Sequence, residues 1–148
     1  MKYFKNIPEI NYYFSDISEF VKLKNLFYYL NMNFITEDVI KYYRISGVKR
    51  IDQISEEVYG TTEYWWLLCL INDIQDVIFD LPLDEEILYK VANDRMLKLY
   101  TNSDVDGAMA YYVEQVDELI KENDDKRLIK IVTENHLNQV ITEILKRI

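Results

Sequence analysis

The chain has 148 residues, 49% of them apolar and 29% charged, with a formal net charge of −9. That is the length of one domain and the composition of an ordinary folded protein, able to hide roughly 70% of its unfolded surface. The acidic balance weighs against a nucleic-acid binder, because short basic clusters such as Lys22 and Lys24, or Lys126 and Arg127, are too small to neutralise a phosphate backbone.

A single cysteine, Cys69, cannot form an intrachain disulfide, and its apolar surroundings read as those of a small buried hydrophobe. Thirteen tyrosines stand against three glycines and two prolines, a balance that favours long helices over many tight turns. Tyrosine buries a ring while keeping a polar tip, so these residues suit either core boundaries or contacts with a partner. Residues 1–10 lack the apolar stretch of a secretory signal. The longest apolar run, 64–71, is far shorter than the roughly 20 residues of a membrane-spanning helix. The expectation is a protein made and used without crossing a membrane by the usual route.

Taken in chain order, residues 1–38 are aromatic and polar without a sustained period, with an extended signal at Ile7-Pro8 and a modest helical pattern over 20–32. They read as an N-terminal arm. Residues 39–45, β-branched and aromatic and followed by Ser46-Gly47, predict a strand and a turn. Ile51, Ile54 and Val58 predict a short amphipathic helix over 51–59, with Gly60 as its left-handed C-terminal cap. Thr61 or Thr62 can cap the next helix, whose body, Tyr64-Trp65-Trp66-Leu67-Leu68-Cys69-Leu70-Ile71, is apolar all round and must be covered on both faces. Asn72-Asp73 ends it, and 76–82 reads as a short apolar connection. Asp84, Glu85 and Glu86 place negative charge on the first turn of a helix reaching about residue 100. Another helix starts near Asp106, with Met109, Tyr112, Val113, Val116, Leu119 and Ile120 on one face. Residues 127–132 predict a strand, and Thr133 caps a last helix carrying Leu137, Val140, Ile141, Ile144, Leu145 and Ile148 at helical spacing.

Little in this chain looks like catalysis. The lone histidine, His136, has no nucleophile in a recognisable setting beside it, and three glycines do not build a phosphate-cradling loop. Paired Cys or His ligands are absent. Asn102, Asp104, Asp106 and Gly107 match the front half of a calcium loop, but its closing position holds Val113 rather than a carboxylate. Asp73, Asp76 and Asp80 form an acidic loop with no sign of an acid–base pair in split environments. No cofactor, no metal and no enzymatic activity are expected.

One block does carry a resemblance. Arg50-Ile51-Asp52-Gln53-Ile54-Ser55-Glu56-Glu57-Val58-Tyr59-Gly60, Thr61-Thr62-Glu63-Tyr64-Trp65-Trp66 and Asn72-Asp73-Ile74 together look like a LysM-type unit. More narrowly, the chain resembles the LysM-like baseplate wedge proteins of contractile-tailed, T-even-type phages, in which a Tyr-Gly turn precedes an aromatic helix start. Leu81-Pro82-Leu83 is similar to that family's Trp-Pro-Leu, and Glu122-Asn123 with Lys126-Arg127-Leu128-Ile129-Lys130-Ile131-Val132 resembles its charged turn and basic-apolar strand. The opening Tyr3-Phe4-Lys5-Asn6-Ile7-Pro8 looks like its arm. The chain departs from the pattern at Thr62 and Val77, where proline is common, and at Leu81, which replaces the tryptophan. Between 100 and 109 it is shorter than the large members.

The resemblance implies an α+β, mostly α chain. Its parts would be an arm over 1–38, a LysM-like strand-helix-helix core over 39–83 and a C-terminal helix-strand-helix region over 84–148 packed on that core as a single unit. It implies a structural wedge subunit of the tail baseplate, assembled in the host cytoplasm and carried in the virion. Partners would be other wedge and hub proteins, with several copies per six-fold baseplate, and neither nucleic acid nor membrane. The expected contact residues are Tyr3, Phe4, Ile7, Tyr12 and Tyr13 in the arm, Tyr59, Tyr64, Trp65 and Trp66 in the aromatic block, and Arg127. Trp65 and Trp66 point about 100° apart on a helix, so one is expected in the core and the other at or near a contact. A peptidoglycan-binding LysM module is the alternative reading, and a small acidic regulator of a host protein a further one.

Overall fold

The computed structural model describes residues 34–101 and 104–147. The arm residues and the helix expected over 20–32 therefore lie outside the described residues. Strand β1 (Ile40–Arg44) leads into helices α1 (Ile51–Tyr59) and α2 (Trp65–Ile71). Two longer helices follow, α3 (Glu85–Leu99) and α4 (Val105–Asp125), then strand β2 (Leu128–Val132) and helix α5 (Leu137–Arg147). The chain is thus α+β and mostly helical, with one two-stranded sheet among the described residues.

The sheet joins the two ends of this region. β1 and β2 run antiparallel in the register Ile40↔Val132 to Arg44↔Leu128. The ladder closes at both ends, where Thr133 N donates to Val39 O at 2.9 Å and Ile45 N donates to Arg127 O at 2.8 Å. Antiparallel pairing alternates, so the peptide groups of Lys130 and Val132 point away from β1. Side chains of the helical pair reach three of these groups. Asn72 accepts from Lys130 N at 2.7 Å and donates to Lys130 O at 2.8 Å, while the Tyr59 hydroxyl accepts from Val132 N at 2.9 Å.

Two apolar clusters meet across α2. Ile45, Ile51, Ile54, Leu68, Cys69, Ile74, Leu81, Ile129 and Ile131 pack between α1, α2 and one face of the sheet. Trp66, Leu67, Leu70, Val132, Leu137, Val140 and Ile144 form the other cluster under α5. The run from Trp66 to Leu70 is buried without interruption because its own chain covers both sides. A helix that is apolar all round needs that arrangement.

Local chemistry accounts for where the elements stop. Gln53 Oε1 accepts from Arg50 N at 2.9 Å at the start of α1, and Gly60 ends it in the left-handed region at φ 71°. Thr61 Oγ1 accepts from Glu63 N, opening a single 3₁₀ turn that runs into α2. At the end of α2, Asp73 takes φ 52° and Ile74 N donates back to Cys69 O at 2.9 Å, a Schellman closure with aspartate in glycine's usual place. Leu81 and Pro82, read in the sequence as part of a connection, are fully buried.

α3 and α4 form a hairpin that packs chiefly on itself, around Leu88, Ala92 and Leu119 with Leu83, Val91, Tyr112 and Val116 beside them. Asp84 and Asp104 cap the two helices through Glu86 N and Gly107 N. The apolar face expected of α4 is divided. Tyr112, Val116 and Leu119 pack inward, whereas Met109 and Val113 are about half exposed and Ile120 is also open. A hairpin offers each helix one neighbour, and one neighbour cannot cover so wide an arc. The start of the last helix also differs from expectation. Thr133 Oγ1 meets His136 Nδ1 at 2.7 Å instead of capping, and a 3₁₀ turn, Glu134–His136, precedes α5.

Candidate interaction surface

Most of the aromatic block is engaged inside the chain. Ser55 lies fully buried between α1 and the turn after it, where its hydroxyl donates to Thr61 O at 2.7 Å and accepts from Tyr64 N at 3.2 Å. That pair of bonds brings Tyr64 back over Tyr59, ring edge to ring face, with centroids 5.7 Å apart. Tyr59 spans both apolar clusters and ends on the Val132 amide. Burial pushes its phenol up to about 12, with the Val132 hydrogen bond opposing. Trp66 is only 3% exposed, in the cluster beneath α5. Trp65 is half-buried and lies against both clusters.

Arg127 also works within the chain. Its Nη1 donates to Gly47 O at 2.7 Å, and its Nε lies 3.6 Å from Asp124, which Arg44 reaches from β1 at 2.8 Å. The guanidinium therefore ties the turn after β1 to the end of α4. Tyr3, Phe4, Ile7, Tyr12 and Tyr13 lie outside the described residues. Among the described residues, no group of three or more His, Cys, Asp or Glu side chains is placed to hold a metal ion. Cys69 is buried, and burial first, then the Asp80 carboxylate, pushes its thiol up to about 12.

The exposed apolar surface lies elsewhere. In the turn after α2, Val77, Ile78 and Phe79 are 44%, 62% and 55% exposed, three consecutive large side chains facing solvent. The backbone beneath them is braced. Asp76 Oδ1 accepts from Ile78 N and Phe79 N at 2.9 and 3.0 Å, and Asp80 Oδ2 accepts from Gln75 N and Asp76 N at 2.9 and 2.8 Å. Asp80 N closes onto Asp76 O, and Lys126 Nζ donates to Phe79 O at 2.8 Å from the end of α4. Within the acidic loop, Asp76 and Asp80 are thus turn caps. They brace the backbone of an exposed apolar knuckle.

Residues 3–115 match the family model described as base plate wedge protein 53. The chain belongs to that family. No curated protein and no solved structure matches it. The wedge family is a structural one, of the phage tail baseplate, which points away from an enzyme and towards association with other baseplate proteins in the virion tail. Among the described residues, no helix is long and apolar enough to cross a membrane. The matched span runs through β1, α1, α2 and α3 and ends within α4, so the likeness read at residues 122–132 lies beyond it.

For a wedge-family chain, the knuckle is the feature that the sequence reading passed over. Apolar content alone marked 76–82 as a connection. The usable signal was the bracketing of Val77, Ile78 and Phe79 by Asp76 and Asp80, since aspartate caps its own turn and a capped turn sits at the surface.

Proposed function

We propose that the chain acts in the baseplate wedge by protein–protein contact alone, with Val77, Ile78 and Phe79 as a preformed anchor in an apolar pocket of a neighbouring baseplate subunit. The braced, solvent-facing knuckle carries this reading. Apolar side chains already held in their bound shape lose little conformational freedom on entering a pocket. Of the aromatic block, Tyr64 and Trp65 are half-buried and remain contact residues in this proposal, as do Tyr3, Phe4, Ile7, Tyr12 and Tyr13 of the arm. Tyr59, Trp66 and Arg127 are assigned to holding the fold.

A LysM-like centre is part of the same proposal. It is supported by the order strand, helix, helix, then a returning antiparallel strand, with the α3–α4 hairpin carried between the second helix and that strand. The unit over 39–83 would then be completed by β2, with residues 84–148 packed on it. Several copies would stand around a six-fold assembly formed in the host cytoplasm.

The test begins with purified tails, which are expected to contain the polypeptide. Ile78→Asp and Phe79→Asp both change well-exposed side chains, so melting should move little while incorporation into tails falls by at least about tenfold. Wild-type incorporation of the double variant would remove the knuckle from the proposal. Specific retention of the protein on purified cell-wall sacculi would favour the glycan-binding reading instead.

A further inference from the structure

α4 carries a second apolar surface. Val105, Met109, Val113, Val116 and Ile120 recur at i, i+4, i+8, i+11 and i+15, so they run along one stripe of the helix. Val105 is 69% exposed, Met109 53% and Val113 52%, while Val116 turns partly into the hairpin core. Leu97 and Leu99, at the far end of α3, are 56% and 64% exposed. The hairpin is therefore most apolar where it is furthest from the two clusters of the body. From Met109 onward the steps are four, three and four, a spacing that lets one helix lie lengthwise along the stripe.

Charge decides between occupants. α4 also carries Asp106, Glu114, Asp117, Glu118, Glu122, Asp124 and Asp125, against Lys121 alone. Asp106 and Asp117 directly follow Val105 and Val116, so on a helix they border the stripe, and both are exposed. A second copy laid on this stripe would bring one set of carboxylates against another. Like charges flanking a coiled-coil seam oppose pairing, and opposite charges select the partner.

We propose that this stripe seats an α-helix of a different protein, one whose apolar seam is bordered by Lys or Arg. The proposal rests on the baseplate reading above, since a tail subunit is where such a partner helix would be met. The polar contacts inside the hairpin keep the stripe presented. Arg95 Nη1 donates to the buried Gln115 Oε1 at 2.7 Å, and buried Asn123 pairs with both backbone groups of Leu83, fixing the register and the root of α4.

Site-directed photo-crosslinking in assembled tails tests this, with the reactive side chain placed at Val113 and, as control, at Glu114 on the polar face of the same turn. The expected result is a crosslink from position 113 to a helical segment of another protein with basic residues flanking its apolar seam, and little or none from position 114. Met109→Glu with Val113→Glu should leave the purified chain folded by circular dichroism and reduce that crosslinked complex at least about tenfold. A crosslink from position 113 to a second copy, to residues 1–33 of the same chain, or to an acidic or non-helical segment overturns the proposal, as does no crosslink in tails that contain the protein. If the protein is missing from tails altogether, the baseplate reading itself fails.

Discussion

Asn72 and Asn123 hold the molecule together by imitating a strand. Each carboxamide offers one acceptor and one donor to the two backbone groups of a single distant residue, Lys130 for Asn72 and Leu83 for Asn123. Asn72 adds a bond to Leu68 O at 2.9 Å, so it closes α2 and splints β2 with the same side chain. A hydrogen bond contributes about 0.5–1.5 kcal/mol net, and of these three only the bond to Leu68 O is part-buried. Asn72→Ala is therefore expected to lower folding stability by about 1–2 kcal/mol in chemical denaturation. Asn72→Asp tests the donor half, because it keeps the acceptor for Lys130 N and loses both donations. A loss below about 0.5 kcal/mol for the alanine variant would mean that water replaces the splint.

At the scale of elements, α2 and α4 show two ways of completing an apolar helix. α2 is covered on one side by the sheet and α1, and on the other by α5. Its adjacent tryptophans divide accordingly, with Trp66 deep in the α5 cluster and Trp65 half-buried between the two clusters. Trp66→Ala should cost about 3–5 kcal/mol, the range for removing a large aromatic from a packed core. Trp65→Ala should cost clearly less, and any larger effect of it should appear in incorporation into tails. Equal losses of stability from the two variants would show that Trp65 is as much a core residue as Trp66. α4 differs because the hairpin supplies one neighbour and leaves the Val105-to-Ile120 stripe open. The same kind of sequence pattern thus ends in a closed core in one helix and in an uncovered surface in the other.

The whole molecule should report the burial of its acids when pH is raised. Tyr59 and Cys69 sit in the body, and burial pushes the phenol from 10.0 and the thiol from 9.0 up to about 12 each. Tyr43, pushed up to about 12 by burial and by the Glu57 carboxylate, adds to them from β1. Each group is held neutral in the fold at a pH where the unfolded chain would ionise it. Their stabilisation is therefore complete below about pH 9 and is lost as pH rises from about 9 to about 12. Tyr59→Phe removes one of these titrations and also one hydrogen bond to Val132. It should be less stable at neutral pH by about 1 kcal/mol, yet lose stability less steeply across the alkaline range. Parallel alkaline profiles for the two proteins would contradict the burial of that hydroxyl.

Much of the fold was legible because its determinants are local. The 51–59 helix with its Gly60 cap, the charged start at Asp84 and the strand ending at Val132 all follow from spacing, caps and turn chemistry within a few residues. The helix over 64–71 announced its own burial by being apolar on every side. What covers a face is not written in the face. Met109, Val113 and Ile120 have the periodicity of a core stripe and stand open, whereas Leu81, in an apparent connection, is buried. Asn72 looked like a helix end, and only the return of β2 made it a splint between elements far apart in the chain. Among the described residues, the sequence alone determined most of the helices and strands, and it carried the family resemblance. Tertiary structure decided which apolar residues are core and which are surface, because burial depends on distant segments arriving beside them, and no local spacing encodes that arrival.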